Sequence, residues 1–339
     1  MNFIIFILIL ISFTYFITNL CSRNKFLLSF TGDKHQKFAS KLNIPLSGGV
    51  VLFFSLVFLE IDINIKILSL LIFFLGFISD LKILSSANIR FLIQILLILF
   101  CVLLLDLDIK NTRIQILDSI LENNAFNIFF VSFCIIIIVN GTNFIDGINL
   151  NVIIYYSLIN ITLLYLSSEY NFSLDVQSLI LISISLIVVA IYNYKNYLFL
   201  GDNGSYLLGF FYSIILIDIY SLNQSISPFF IILLLWYPSF EILFSIFRKF
   251  ILGRSPLKPD NLHLHHLIFN LLNKKSYLKN FNKNSGGILI NFYNLTIIVM
   301  SLRDITNSQY QIILIILNVI VYLVTYLKLY NKKFNSNYD

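Results

Sequence analysis

Polar residues at regular spacing follow one of the longest apolar runs of this sequence. After residues 129–139, Asn140, Asn143, Asp146 and Asn149 come at intervals of three. Residues three or four apart share one face of an α-helix, so this spacing predicts four polar side chains along one helical face. Carboxylate and amide groups at the end of an apolar helix mark a candidate site where that helix reaches water.

A second candidate site precedes another apolar stretch and reads Gly-Asp-Asn-Gly-Ser at 201–205. Asp or Ser before an apolar helix is an ordinary N-cap, and glycines are ordinary turn residues. Alternatively, Gly201 and Gly204 let the backbone approach a phosphate, while Asp202 offers Mg²⁺ the oxygen ligand that this cation prefers. The second interpretation indicates a site that handles a diphosphate.

Two shorter features can also be interpreted either as ordinary structural elements or as parts of a site. Asp80 ends an apolar helix beside Lys82, either as a solvated helix end or as a site residue. The pair Gly48 and Gly49 begins another apolar stretch, where it either serves packing or lines a site that needs close backbone approach.

A basic segment, 248–266, contains Arg248, Arg254 and three histidines, His263, His265 and His266. Three interpretations are open, namely phosphate or nucleotide binding, metal ligation, or an uninvolved surface loop. Because no Cys is nearby and the neighbours are basic, the segment favours contacts to anions over a zinc site.

Composition places these motifs in a membrane. The 339 residues are 58% hydrophobic and 12% charged, with a mean hydropathy of +0.87, which exceeds the apolar share of soluble domains. Cys21, Cys101 and Cys134 are scattered without metal or disulfide spacing and are expected to be packing residues. We therefore predict an all-α, polytopic integral membrane protein that forms a single membrane domain over 1–339.

Apolar segments predict eleven spans, with the first retained rather than cleaved as a signal peptide. They cover 2–20, 46–60, 63–79, 90–107, 126–142, 148–167, 175–193, 204–221, 228–247, 288–302 and 309–328.

Basic residues predict the orientation, since cytoplasmic loops carry an excess of Lys and Arg. With the N-terminus outside and the C-terminus cytoplasmic, the 23 Lys and Arg residues all fall inside except Lys66, Lys110, Arg113 and Arg303. The candidate residues then share the cytoplasmic face, in loops at about 21–45, 80–90, 140–150, 193–205 and 248–287.

Together these motifs resemble the polyprenyl-phosphate N-acetylhexosamine-1-phosphate transferases, a superfamily of bacterial enzymes that start lipid-linked glycan synthesis and include the undecaprenyl-phosphate N-acetylglucosaminyl-1-phosphate transferases of glycosyltransferase family 4. The matching segments occur in the family's order between residues 31 and 270. They are Pro45-Leu-Ser-Gly-Gly49, Gly76-Phe-Ile-Ser-Asp80 with Arg90 and Gln94, Asn140 to Asn149, Gly201-Asp-Asn-Gly-Ser205, and Arg248 to His266.

The resemblance implies a transfer that depends on Mg²⁺, with Mn²⁺ as an alternative. The phosphate of a polyprenyl phosphate attacks the β-phosphorus of a UDP-N-acetylhexosamine, giving a polyprenyl-diphosphate sugar and UMP. It also implies that Asp202 is the Mg²⁺ ligand, that Asp146 is a nucleotide-side residue and that Asp80 is the family's helix-end aspartate. We expect Asp80, Asp146 and Asp202 to form the catalytic centre. The substrate-binding residues that we expect are Asn143, Asn149, Gly201, Gly204, Arg248, Arg254, His263, His265 and His266.

The expected setting is the bacterial inner membrane, with the product entering cell-envelope glycans such as cell wall polymers or the O-antigen of lipopolysaccharide. No nucleic acid partner is expected, and the sequence leaves open whether the protein forms a homodimer.

Three positions depart from the family pattern. Ser79 stands where the family usually has the first Asp of a pair, and serine cannot replace a carboxylate as a charged ligand. Asn149-Leu150 replaces an Asp-Gly or Asn-Gly pair, and His35 lies farther from Pro45 than the family's basic-His pattern.

Two other classes stay open. A transporter or flippase would carry ionisable residues near the middle of the membrane, whereas the predicted spans keep nearly all charges at their ends. An inactive relative that acts as a binding partner is compatible with Ser79 and would bind nucleotide without turnover.

Overall fold

The computed structural model describes residues 2–29, 44–170, 175–255, 260–274 and 282–335. His35 and the basic residues 34–41 of the first loop lie outside the described residues, so the expectation about that loop stays a prediction. Within the described residues all regular secondary structure is helical, and the only β-type pairing there is an isolated bridge between Leu28 and Pro45. The predicted all-α class is confirmed.

The described residues form fourteen helices. They are α1 (Phe3–Arg23), α2 (Gly48–Leu56), α3 (Ile63–Asp80), α4 (Ala87–Leu104), α5 (Gln115–Leu121), α6 (Asn124–Ile145), α7 (Asn151–Leu166), α8 (Val176–Tyr194), α9 (Gly201–Leu222), α10 (Pro228–Leu234), α11 (Trp236–Ile251), α12 (Leu264–Lys274), α13 (Asn282–Ser301) and α14 (Ser308–Asn335).

Helix length confirms a polytopic membrane protein but does not support eleven full-length spans. Among the described residues, seven helices are long and apolar enough to cross a membrane, or eight if the bent pair α10 and α11 is one span. Helix α2 has nine residues. At 1.5 Å per residue it rises about 14 Å, roughly half of the hydrocarbon thickness, so the span expected at 46–60 is a short helix.

Helix α9 is the centre of the bundle. In its most apolar stretch 83% of the residues are buried, against 22% in α1, α4 and α14. Its neighbours are α3, α6 and α2, and these contacts hold the first turn of α9 beside the ends of two other helices. The outer helices α1, α4 and α14 present apolar side chains such as Phe16, Leu92 and Ile320 at the surface, where lipid would cover them.

The span expected at 228–247 is a broken helix, because α10 and α11 are bent by 75° at Leu235. Pro238 lacks the N–H that would bond to the carbonyl of Leu234, and proline disrupts a helix at this point. The hydroxyl of Tyr155 donates to the Leu234 carbonyl at 2.6 Å and replaces the missing bond. Beyond the bend, α11 packs along α6.

The polar row on α6 ends earlier than predicted. Helix α6 stops at Ile145 and Asp146 is its C-cap, so Asn149 lies in the following turn and does not share the helical face. Leu150 adopts φ +66°, a left-handed conformation that glycine favours, and α7 begins directly after it. The prediction of one face for all four residues is therefore wrong at Asn149.

Candidate active site

The site is built on the first turn of α9. Gly201 has φ +79°, a backbone conformation that L-residues rarely adopt, and this lets the chain turn into the helix. Asp202 then stands in the first turn, where a carboxylate is favoured by the positive end of the helix.

Asp80 caps α9 from the end of α3. Its Oδ1 accepts from the backbone N–H of Asp202 at 3.0 Å, and its Oδ2 accepts from the backbone N–H of Asn203 at 2.9 Å and from the Asn203 side-chain amide at 2.5 Å. Both oxygens of Asp80 are thus engaged in holding α9 against α3. This geometry suits a residue that positions Asp202.

The two oxygens of the Asp202 carboxylate face different helices. Asn143 on α6 donates its amide N–H to Oδ1 at 2.7 Å. Ser79 on α3 donates its hydroxyl to Oδ2 at 2.6 Å, and Arg90 on α4 lies 3.3 Å from the same oxygen. Arg90 also donates to the Ser79 hydroxyl. Four helices therefore meet at one partly exposed carboxylate.

Asp146 lies beside this cluster at the end of α6. Burial raises the pKa of its carboxyl well above the ordinary value, and the negative charges of Asp202 and Asp80 raise it further. The structure thus brings together the three aspartates that were expected to form the catalytic centre. Because the three carboxylates repel one another, a bound cation would stabilise the cluster.

The residues present fit a cation of the magnesium type. Among the described residues no group of three or more His, Cys, Asp or Glu could hold a metal ion. Mg²⁺ is commonly held by one or two carboxylates, with substrate phosphates and waters completing its shell. Asp202, with Asp146 near enough to feel its charge, supplies that smaller donor set.

An apolar cavity opens beside the cluster. It has a volume of about 370 Å³ and lies between α4, α6 and α11, with walls of mainly Phe, Leu and Ile side chains. Its polar lining includes Arg90, Gln94, Asn140 and Asn143. Asn140 donates to the Gln94 side chain at 2.8 Å, one helical turn below Arg90 and Asn143. The cavity can therefore take an apolar chain that carries an anionic end group.

The three histidines lie at the start of α12 and face the turn after α6. A Cβ atom at Gly147 would lie 2.2 Å from Nε2 of His265 and 2.8 Å from Cε1 of His266. Burial lowers the pKa of His265 well below its ordinary value, and it lowers the pKa of His266 to about 3, with neighbouring positive charge adding to both shifts. Both rings are therefore neutral at pH 7 and can donate or accept a hydrogen bond.

Other predicted residues make contacts that hold the helices around the site together. Asn149 donates to the carbonyl of Asn193 at 3.3 Å and to the side chains of Asn196 and Asn284 at 2.9 Å each, which joins three segments. A Cβ atom at Gly49 would lie 2.3 Å from the backbone nitrogen of Gly204, so this glycine pair permits close packing of α2 on α9.

The two arginines differ in burial. Arg248 is 9% exposed and its guanidinium bonds to both oxygens of Asp260, at 2.8 and 3.1 Å. These bonds lie beside the histidines, where Arg248 steadies their segment. Arg254 follows α11 and is exposed.

Three polar residues at or near the site, Arg90, Gln94 and Glu241, were not among the predicted site residues. Arg90 and Gln94 belong to the matching motif, but neither was expected as a site residue, although their spacing of four places both on one face of α4. Glu241 is 1% exposed and contacts His263 at 3.0 Å. A lone Glu within an apolar span was the only signal for it.

The fold and this cluster define a class, an α-helical polytopic membrane protein with an acidic site beside an apolar cavity. A family model described as glycosyl transferase family 4 matches residues 63–220, which include Asp80, Asp146 and Asp202. This part of the chain is therefore similar to that family, in agreement with the superfamily that its motifs resemble.

Relatives agree with the family match. A probable undecaprenyl-phosphate N-acetylglucosaminyl 1-phosphate transferase of Bacillus subtilis (strain 168) is 27% identical over 275 residues, covering 73% of this chain and 68% of the relative. An undecaprenyl-phosphate alpha-N-acetylglucosaminyl 1-phosphate transferase of Thermotoga maritima is 27% identical over 232 residues, covering 68% and 70%. One of Haemophilus influenzae is 33% identical over 75 residues, covering 22% and 21%.

Proposed function

We propose that this protein transfers an N-acetylhexosamine 1-phosphate from a UDP-sugar to a polyprenyl phosphate such as undecaprenyl phosphate. An oxygen of the lipid phosphate attacks the β-phosphorus of the UDP-sugar. The bond from that phosphorus to the bridging oxygen breaks, and UMP leaves with the electron pair. The products are UMP and a polyprenyl-diphosphate sugar that starts a cell-envelope glycan.

The observation that carries this proposal is the position of the Asp202 cluster at the polar end of an apolar cavity. One substrate is a lipid and the other dissolves in water, so their phosphates can meet only where an apolar channel ends beside polar groups. Arg90 and Asn143 line that cavity and contact Asp202 at 3.3 and 2.7 Å. The lipid phosphate would reach the aspartates there.

Bringing two anions together requires compensation of their charges. When bound, Mg²⁺ would supply positive charge to the phosphate oxygens. Asp202 would hold it, Asn143 and Ser79 would fix the orientation of the carboxylate, and Arg90 would neutralise the lipid phosphate. Asp80 holds the first turn of α9 in place, and positioning supplies much of the rate in phosphoryl transfer.

The proposed setting is the cytoplasmic face of a bacterial plasma membrane. In this proposed orientation the N-terminus lies outside and the C-terminus inside, in agreement with the asymmetry of Lys and Arg. UDP-sugars are made in the cytosol, so this orientation gives the donor access to the site.

The test replaces Asp202 by Asn and measures transfer of radiolabelled sugar from UDP-N-acetylhexosamines to undecaprenyl phosphate, with Mg²⁺ or with chelator. We expect the wild type to label lipid in a chelator-sensitive reaction that releases UMP, and Asp202→Asn to abolish labelling without loss of folded protein. Asp218→Asn, on the same helix near its other end, is the matched control and should stay active. Full activity of Asp202→Asn would sink the assignment.

A second candidate is an inactive relative that binds a UDP-sugar without turnover. Ser79 favours it, because it removes a carboxylate that the family usually has at this position. Binding of UDP-sugar by folded wild-type protein that transfers none of the donors offered would select this candidate.

A further inference from the structure

Glu241 on α11 lies under the histidine segment. It is 1% exposed, and its Oε1 faces two donors. These are Nδ1 of His263 at 3.0 Å and the backbone N–H of Leu264, the first residue of α12, at 3.3 Å. One carboxylate oxygen therefore holds both the His263 ring and the beginning of α12.

The other oxygen of Glu241 is held by the C-terminal helix. Tyr322 on α14 donates its hydroxyl to Oε2 at 2.7 Å and is itself 3% exposed. The rings of Phe240 and Phe244 pack against Tyr322 with centroids at 4.9 and 5.3 Å. A buried carboxylate is costly unless it is hydrogen-bonded, so Tyr322 is needed to keep Glu241 in place.

A second carboxylate fixes the opposite side of the His263 ring. Nε2 of His263 lies 3.4 Å from Oδ1 of Asp260, and Asp260 is paired with Arg248 at 2.8 Å. Arg248 also donates to the hydroxyl of Tyr326 on α14 at 3.1 Å. With a carboxylate at each ring nitrogen, the His263 ring cannot rotate without losing a contact.

His265 has a different environment. It is fully buried, and neither of its ring nitrogens has a hydrogen-bond partner within the described structure. Its ring lies parallel to that of His263, with an interplanar angle of 11° and centroids 5.6 Å apart, and its Nε2 faces Gly147 beside Asp146. The fixed ring of His263 thus sets the orientation of a histidine that has free hydrogen-bonding capacity toward the site.

We propose that Glu241 and Tyr322 are positioning residues. Together they fix His263 and the start of α12, so that His265 faces the turn at Asp146 and Gly147, and α14 thereby controls binding of the sugar donor. That the donor is a UDP-sugar rests on the proposed function, whereas the positioning of His263 and α12 concerns only residues of this chain.

The experiment compares Glu241→Gln and Tyr322→Phe with Tyr310→Phe. Tyr310 is a matched control, because its hydroxyl also makes a single hydrogen bond, to the carbonyl of Met300 at 2.8 Å, from the first turn of the same helix. Two readouts are taken on the full-length protein in detergent. One is amide hydrogen exchange of the peptide 260–274, and the other is KM for UDP-sugar and for polyprenyl phosphate.

We expect Tyr322→Phe and Glu241→Gln to speed exchange in 260–274 and to leave the peptide at the start of α9 unchanged. The donor KM should rise about fivefold or more, with KM for the lipid within about twofold of wild type. Tyr310→Phe should change neither readout.

Unchanged exchange in 260–274 for Tyr322→Phe overturns the inference, as does an equal change in both KM values, which indicates general destabilisation. If Glu241→Gln does not fold, Tyr322→Phe decides alone, since it removes one oxygen atom. If the wild type transfers no sugar, the proposed function fails while the exchange measurement still decides the positioning.

Discussion

At the scale of single residues, Ser79 changes the charge of the site. Its hydroxyl donates to Asp202 Oδ2 at 2.6 Å, where the family's usual Asp would set a second carboxylate against the first. Two adjacent carboxylates repel each other and bind a cation more strongly, whereas a hydroxyl stabilises Asp202 without a metal. This protein therefore has one negative charge fewer at this position than the family pattern that it resembles.

Replacing Ser79 tests that account. Ser79→Ala should reduce transfer mildly, well under the ~100-fold that corresponds to ~2.7 kcal/mol of transition-state stabilisation, because Arg90 and Asn143 still hold Asp202. Ser79→Asp should lower the Mg²⁺ concentration needed for half-maximal thermal stabilisation and should lower stability in chelator. Both effects are read from melting curves at varied Mg²⁺, and Ser79→Asn, which is similar in size and neutral, should show neither.

Buried histidines predict a dependence of stability on pH. Burial lowers the folded-state pKa of His266 to about 3, below the ordinary unfolded value of about 6.5. The unfolded chain therefore binds the proton more readily, so the contribution of His266 is complete above pH ~6.5 and declines as pH falls toward 3. At pH 5 the loss from His266 is roughly 2 kcal/mol.

Thermal unfolding at pH 7.5 and pH 5 checks this direction. The wild type should be less stable at pH 5, and His266→Gln should show a smaller difference between the two conditions. A difference that is equal in both proteins would contradict the assignment to His266.

At the scale of elements, the helix N-termini near the site are held by carboxylates from other helices. Asp80 on α3 caps α9, and Glu241 on α11 caps α12. Each cap satisfies backbone N–H groups that a helix leaves without partners, and it also fixes the angle between two helices. The site residues are therefore oriented by contacts between helices and not by the helices in which they lie.

The bend between α10 and α11 also involves a side chain from another helix, because Tyr155 of α7 donates to the Leu234 carbonyl at the bend. Tyr155→Phe should leave the Leu234 carbonyl buried without a donor and reduce stability by about 1–3 kcal/mol. Tyr165→Phe on the same helix, where the ring is 61% exposed, is the control and should have little effect. The two variants are compared by thermal unfolding in detergent, and equal melting temperatures would show that Tyr155 does not support the bend.

At the scale of the whole molecule, the polar ends of α3, α6, α9 and α12 converge, while Arg113 lies in a different polar region. Its guanidinium donates to the carbonyls of Ser225, Ile226 and Thr306 at 2.7 to 3.1 Å and so joins three loops. The molecule thus has a site end rich in charge and an opposite end closed by backbone contacts.

The orientation is testable by labelling single cysteines in a variant that lacks Cys21, Cys101 and Cys134. Glu122→Cys should react with a membrane-impermeant maleimide in intact cells, because the charge asymmetry places it outside. Lys195→Cys, which is also exposed, should react only after the membrane is permeabilised. The reverse pattern would show that the site faces outward and would remove the donor's access.

Much of the site could be predicted from spacing alone, because Asn143, Asp146 and Asp202 stand at the ends of apolar segments and polar groups there must reach water or one another. The lengths of the helices and the tertiary contacts of the site residues could not be predicted in this way. Nothing in the local sequence around Asn149 shows that its amide joins segments 44 to 135 residues away. The break at Leu235 had one local signal, Pro238, and needed the distant Tyr155 to become stable.

By itself the sequence determined the membrane class, the family motifs and the candidate aspartates. These depend on local properties: the hydropathy of a segment decides whether it can cross a bilayer, and the residue type decides whether a side chain can bind a cation. Only the tertiary structure decided that Asp80 caps α9, that Arg90 and Ser79 share the Asp202 carboxylate, and that Glu241 and Tyr322 hold His263. Each of those roles is a hydrogen bond between residues far apart in the chain, and such a bond exists only once the helices have packed.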